Sequence, residues 1–508
     1  MSFLTPECGP SDALTKGRNI APLPLRAPDD ALLIDVCERR SEEDNVVAVP
    51  QRVASDRKCT SADGDATMAI RETMNFSRSK ELQQKSHRLI PGGAHTYSKG
   101  DDQYPEESPG FIARGAGCHV WDVDGNEFIE YGAGSRAVTL GHAYPSVVEA
   151  ASRAMGLGIN FVRPTTLEVE LAEKMLSLIP SGQMVKFGKN GSDVTTAALK
   201  LARACTGRDM VARCGDQPFL SVDDWFIGST PMGAGVPQAI KDMTVTFRYN
   251  DLASLQARFD EHPGQIACVI MEAETTEPPH PGFLQGVRDL CDRKGAVFVM
   301  DEVITGFRWH LNGAQHVHRV EPHLCTFSKA MGNGFSISAL VGKRELMQYG
   351  GLHHDKARVF LLSTTFGAES HSLAAALATI RVYETEEVIG RLYAAGHRLA
   401  EGIATAVAQY RLQDYFVVAG RECNLVFFTF DQEKQRSQIF RTLFMQEMIK
   451  RGVLAPSFVV NYSHSDADID KTIQAVHGAL AVYRKALDDG AEKYLVGRPV
   501  KPVFREFN

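Results

Sequence analysis

IACVIME (266–272), GFLQGVRDLCDRKG (282–295) and AVFVMDEVITGFR (296–308) follow one another in the chain, and their reading decides the fold. The outer two open on short continuous apolar runs of strand length, and the middle one carries a helical pattern that stops on glycine. Strand, helix, parallel strand is the crossover unit of an α/β sheet. The first run stops at Glu272 and the second at Asp301. Both carboxylates are thereby delivered to the carboxyl ends of strands, where open α/β sheets hold their ligands.

A lysine in a polar, glycine-rich setting follows shortly, Lys329 in CTFSKAMGNG (325–334). Either residue alone has a plain explanation, since lysine is common and a strand-end aspartate is often a cap or turn former. Together they suggest pyridoxal 5'-phosphate. That cofactor needs an amine to bond its aldehyde and a carboxylate to keep its ring nitrogen protonated. Other segments supply further parts. FGKNGSDVTTAALKLARACTG (187–207) is a glycine turn opening a helix, where free N–H groups at Asn190, Gly191 and Ser192 can receive a phosphate, or where Ser192 or Asp193 simply caps the helix. GDQPFLSVDDWFIG (215–228) offers Phe219 and Trp225 as flat apolar rings, although such rings are more often core. Thr364 and Thr365 beside Gly367 form a second possible phosphate contact.

The whole chain bounds these readings. Its 508 residues exceed a single hydrophobic core, and 44% hydrophobic with 23% charged residues describes an ordinary α/β enzyme. A net charge of −7 gives no electrostatic footprint for nucleic acid or an anionic membrane. Ten cysteines without a CxxC pair or other metal spacing read as reduced thiols, so neither a metal nor a disulfide framework is expected. No apolar stretch is long enough to span a membrane and the N-terminus has no secretory pattern, which makes the cytoplasm the expected location.

Residues 1–73 are rich in turn formers and charge and read as a disordered extension. The folded part is expected from Met74. Residues 74–130 form an N-terminal segment that packs with the small domain and includes the Asp-Gly hairpin of CHVWDVDGNEFIEYG (118–132); residues 131–370 form a large domain with a mainly parallel sheet. Residues 371–508 form a smaller α+β domain with long helices in 372–410, a strand at NLVFFTF (424–430) and a last helix over 467–487. The glycines and prolines of GSTPMGAGVPQ (228–238) suit a lid or a plain surface connection.

In this order the segments resemble the class III aminotransferases, a fold type I family. The resemblance is closest to the branch containing glutamate-1-semialdehyde 2,1-aminomutase and related aminotransferases of polysaccharide and natural-product pathways. MDEVITGFR, the lysine segment and KNGSDVTTAALKLAR carry it as strings, and IPGGAHTYSKGDDQYP (90–105), TLGHAYP (139–145) and LVGRPVKPVFREFN (495–508) look like variants within the branch. By that resemblance Lys329 matches the lysine that bonds the cofactor and Asp301 the partner of the ring nitrogen. Val303 and Phe219 match the residues on the two ring faces, and Gly191 and Ser192 match the phosphate turn. Glu272 matches the acid after the preceding strand. Thr365 matches a threonine reaching the phosphate from a neighbouring subunit, which implies a homodimer with shared active sites. Lys99 stands where the aminomutase grips its substrate carboxylate with arginine, a change that is not conservative. APSFVVNYSHSDADI (455–469) is shortened relative to the branch.

His95, Tyr97, Lys99 and Arg136 fall in segments that the resemblance places at the mouth of the site. The reading is an aminotransferase that moves an amino group from a small-molecule donor onto an aldehyde or ketone of a polar, sugar-like or natural-product substrate. An intramolecular aminomutase uses the same groups. A non-catalytic binding module of the same fold is the third reading, disfavoured by the intact Lys329 and Asp301.

Overall fold

The computed structural model describes residues 74–507. The reading of residues 1–73 as an extension lies outside the described residues. The central sheet has seven strands in the order Met184–Gly188, Ser338–Gly342, Leu324–Phe327, Val297–Asp301, Ile266–Glu272, Met210–Cys214 and Thr244–Phe247. Ser338–Gly342 runs antiparallel to both neighbours, and the pairings from Leu324–Phe327 onward are parallel.

Ile266–Glu272 and Val297–Asp301 are buried at every position, as uninterrupted apolar runs must be when helices cover both faces of a sheet. The helix Phe283–Lys294 links them through a buried face of Leu284, Val287, Leu290 and Cys291. Gly295 then adopts φ +63, a left-handed conformation that costs glycine little and ends the helix. Parallel register sets Glu272 opposite Asp301, and Asp301 opposite Thr326, so three strand ends lie side by side.

A second sheet joins Ile112–Ala116, His119–Asp122 and Glu127–Glu130 to Val453–Leu454. Its hairpin turns at Asp124-Gly125, where the Asp122 carboxylate accepts from the Asp124 and Asn126 N–H groups at 3.0 and 2.7 Å. Towards the C-terminus, the helix Ser370–Thr385 packs on Pro145–Leu157 and Thr166–Leu178. Extended backbone at Glu386 separates it from the helix Val388–Gln409. The helices Gln438–Ile449 and Asp466–Asp489 then pack beside the antiparallel pair Phe416–Ala419 and Val426–Thr429. Phe416, Phe427, Phe444 and Phe458 interlock between them, with 4.6 Å between the rings of Phe416 and Phe444.

Among the described residues no helix is long and apolar enough to cross a membrane. Cys118, His119 and Asp468 bring donor atoms within 4.8 Å of one another. That carboxylate is already used, because Asp468 closes the capping box of the last helix with Ser465, and burial raises the Cys118 thiol well above its usual range.

Candidate active site

The three strand ends carry the ionisable core of the site. Asp301 is buried, and its Oδ1 accepts from the Val303 N–H at 2.9 Å and the Thr326 hydroxyl at 3.0 Å. Burial pushes its carboxyl up to about 6, against the pull of these donors and of Lys329. Glu272 is buried beside it and rises to about 8, through burial first and the Asp301 charge second. Gln217 clamps the Glu272 backbone, donating to its carbonyl and accepting from its N–H at 2.7 Å each.

Lys329 follows the strand Leu324–Phe327 at the start of a 3-10 turn. Its φ of +48 is unusual for a side-chain-bearing residue and marks a backbone held by its surroundings. Ser328 Oγ donates to the Ile337 carbonyl on one side of it, and on the other Asn333 bridges the Leu140 N–H and the Gly141 carbonyl. Burial pushes the Lys329 ammonium down to about 8, although Glu272 and Asp301 favour its charge.

The phosphate turn stands at the end of Met184–Gly188. Asp193 Oδ2 accepts from the Lys189 and Asn190 N–H groups at 2.9 Å, so Asp193 closes the start of the helix Gly191–Thr206 in a capping box with Asn190. Ser192 instead accepts from the Val222 N–H at 3.0 Å, which leaves its hydroxyl proton to donate elsewhere. A Cβ built on Gly191 would stand 3.0 Å from Val303, so the turn closes tightly over that side chain. Phe219 is 44% exposed and meets Phe226 edge-on at 5.7 Å. Trp225 is core, donating from Nε1 to the Thr196 hydroxyl. Thr365 is exposed, with its carbonyl accepting from Asn160. The 228–238 loop is tied at its near end, where Arg213 donates to the Ser229 hydroxyl and carbonyl.

These groups fit pyridoxal 5'-phosphate. The fit rests on a buried carboxylate with two donors on one oxygen, a lysine shifted toward its neutral form, and a glycine turn that a side chain would block.

A cleft of about 1100 Å³ opens beside them, with Glu272, Arg136 and Asn424 in its wall and His95 and Lys99 lining it further along the chain's N-terminal loop. Arg136 ends a left-handed turn, Ala133 to Arg136, in which all four residues have positive φ. Only Gly134 takes that conformation cheaply. Glu130 accepts from the Ala133 N–H at one end of the turn, and the fully buried Arg308 donates to the Arg136 carbonyl and the Thr139 hydroxyl at the other. Asn424 Oδ1 accepts from Arg136 Nε at 2.9 Å. Tyr97 is 57% exposed and is not part of the cleft wall; its ring lies against Gly92.

Sequence reading passed over Thr326, Gln217, Asn424 and Arg308. Thr326 had a signal, a polar residue inside a buried strand three positions before Lys329. Gln217 and Asn424 had none, because their partners lie 55 and 288 residues away.

Comparison with known proteins agrees with this geometry. The family model for class III aminotransferases matches residues 102–480. The glutamate-1-semialdehyde 2,1-aminomutase of Geotalea daltonii is 34% identical over 426 residues, covering 79% of this chain and 98% of that protein. The aminomutase of the same name from Chloroflexus aggregans is 34% identical over 440 residues, covering 80% and 99%. Among solved structures, the FumI protein of Sphingopyxis sp. MTA144 in its PLP internal aldimine form superposes with a TM-score of 0.75 at 26% identity, covering 83% of this chain and 99% of that one. An omega-transaminase from Sphaerobacter thermophilus gives 0.73 at 26%, covering 80% and 98%. With the match spanning most of the chain, and the lysine, the acid and the phosphate turn all standing at the carboxyl ends of strands of one sheet, this protein belongs to the class III aminotransferases, which use pyridoxal 5'-phosphate.

Proposed function

We propose that this enzyme transfers an amino group to an aldehyde or ketone on a polar, anionic substrate. The observation that carries the reading is Arg136, fixed in the cleft wall close enough to Glu272 and Lys329 to perturb both. Lys329 and Asp301 would hold the cofactor's aldehyde end and ring nitrogen, with Val303 and Phe219 at its faces and Asn190, Gly191 and Ser192 at its phosphate. Bound there, the cofactor supplies an electrophilic carbon and an electron-accepting ring. Asp301, ionised at neutral pH, keeps a proton on the group it faces. Lys329 Nζ, shifted down to about 8, would take the proton from the donor's amine-bearing carbon as base and, in the second half of the exchange, deliver one as acid to the acceptor carbon that gains the nitrogen. Thr365 would come from a second copy of the chain; it is exposed between the exposed Phe360 and Phe366, which supports a homodimer with shared sites.

A second reading, the intramolecular aminomutase, is favoured by the names of the 34% identical relatives. Lys99 in place of arginine and the shortened 455–469 segment speak for a different substrate. A half-reaction screen separates the two: the holoenzyme is mixed with single amino acids and amino sugars, and cofactor absorbance and products are followed. A transaminase stops after one equivalent until a carbonyl acceptor is added, whereas an aminomutase turns one compound over alone. Lys329→Ala should abolish turnover in either case while the protein still retains some cofactor, and normal turnover in that variant would overturn the assignment.

A further inference from the structure

The cleft extends beyond the reacting groups, past Tyr104 to the first turn of the helix Gln438–Ile449. Two arginines line this arm. Arg441 is partly buried; its Nη2 donates to the Pro456 carbonyl at 2.7 Å, and its guanidinium carbon stands 4.7 Å from the centre of the Phe427 ring. Arg436 lies at the exposed rim, 3.8 Å over Phe428. Neither makes an ion pair among the described residues; of the acids in the cleft wall, Glu272 belongs to the reacting end and the other three are engaged elsewhere. Glu130 serves the Ala133 N–H and His142, Asp101 pairs with His87, and Glu274 pairs with Arg421 and His318.

A guanidinium withdrawn from water without a counterion is unfavourable. Burial lowers the proton affinity of Arg441, and only Tyr104 opposes that effect. The helix start adds positive potential at the same place, with the Phe440 N–H satisfied by Ser437 and the N–H groups before it at the open end. The ring and the carbonyl hold the fork in a fixed orientation suited to a planar or tetrahedral anion.

We infer that Arg441, assisted by Arg436 and the start of its helix, binds a second anionic group of the substrate, a carboxylate or phosphate at the end remote from the reacting carbon. The inference rests on the proposed amino transfer and adds to it an elongated substrate with charge at both ends. The cleft volume of about 1100 Å³ lies just above the range of ordinary small-ligand pockets, roughly 300–1,000 Å³, and suits such a molecule.

Calorimetric titration of the holoenzyme, with its phosphate turn already filled, tests this using pyrophosphate and glutarate as probes. Wild type should bind one of them saturably, one per chain; pyrophosphate binding identifies a phosphate and glutarate binding a carboxylate. Arg441→Gln should weaken that binding by about tenfold or more, the loss of a charge-assisted contact. Gln438→Glu, an exposed position one helical turn before Arg441, should weaken it comparably by supplying an internal carboxylate, and it carries the test if Arg441→Gln fails to fold. Unchanged affinity in the folded variants, or no binding of either probe to wild type, overturns the inference. Cofactor absorbance and the half-reaction are read on the same samples: their failure with probe binding intact sinks the amino-transfer reading and leaves the anion site standing.

Discussion

Glu272 and Lys329 are driven toward neutrality by the same burial, and the consequence is a definite pH dependence in the cofactor-free protein. Glu272 and Asp301 are raised above their ordinary carboxylate values, so folding takes up protons. The stability they contribute is full below their ordinary values of 3.8 and 4.5 and is lost as pH climbs through about 6 for Asp301 and about 8 for Glu272. Lys329 is lowered, so its contribution recovers only above about 8. Relative to Glu272→Gln, the stability of the wild-type apoprotein in denaturant should therefore decline as pH rises from 4.5 to 8, by at most about 1.4 kcal/mol per pH unit for the one proton; the partly buried His323 and the buried His464, held down to about 4, act in the opposite sense in both proteins. A difference between the two proteins that stays level over this range would contradict the assignment. Asp301→Asn keeps an oxygen for the Val303 N–H but loses the charge, so kcat should drop about 100-fold or more with little change in Tm. An undiminished rate would remove Asp301 from the chemistry. Both acids were legible because each ends an uninterrupted apolar run, and Lys329 because it stands in a polar, glycine-rich stretch just after a buried strand. Thr326, which fixes the Asp301 oxygen, went unnoticed although it is the polar residue of that strand.

At the level of elements, the site depends on how closely the phosphate turn approaches the strand end at Val303. Gly191→Ala would place a methyl group 3.0 Å from the Val303 side chain, and the turn must shift to admit it. A cost of roughly 1–3 kcal/mol is expected, read as weaker cofactor retention in dialysis, with a milder result in a Gly191→Ala, Val303→Ala double variant. Equal retention in wild type and Gly191→Ala would show that the approach is not needed. The central strands, the helix Phe283–Lys294 and the Asp124-Gly125 hairpin were readable because local pattern and tertiary burial agree there. The turn from Ala133 to Arg136 was not readable. It contains one glycine in four residues, and its left-handed shape is imposed by Glu130 and Arg308, the latter 172 residues from the carbonyl it holds.

For the whole molecule, the exposed Phe360 and Phe366 flanking Thr365 lead to a prediction about assembly. The holoenzyme should sediment at twice the 55.8 kDa of one chain, and Phe360→Glu with Phe366→Glu should shift it toward the single chain while cofactor retention falls. A double variant that remains dimeric would place the interface elsewhere. Residues 1–73 precede the region matched by the family, and their deletion should leave cofactor absorbance unchanged; its loss would tie them to the folded protein. The clasp that Glu130 and Arg308 place on the Arg136 turn has a further consequence for which compounds can be exchanged. In the proposed reaction, donor and acceptor occupy one cleft in succession, and a guanidinium whose backbone is pinned and whose Nε is held by Asn424 must break that bond to swing aside for a neutral visitor. Both partners must then carry their negative charge at the same distance from the carbon that gains or loses nitrogen, which confines the enzyme to pairs of structurally related metabolites.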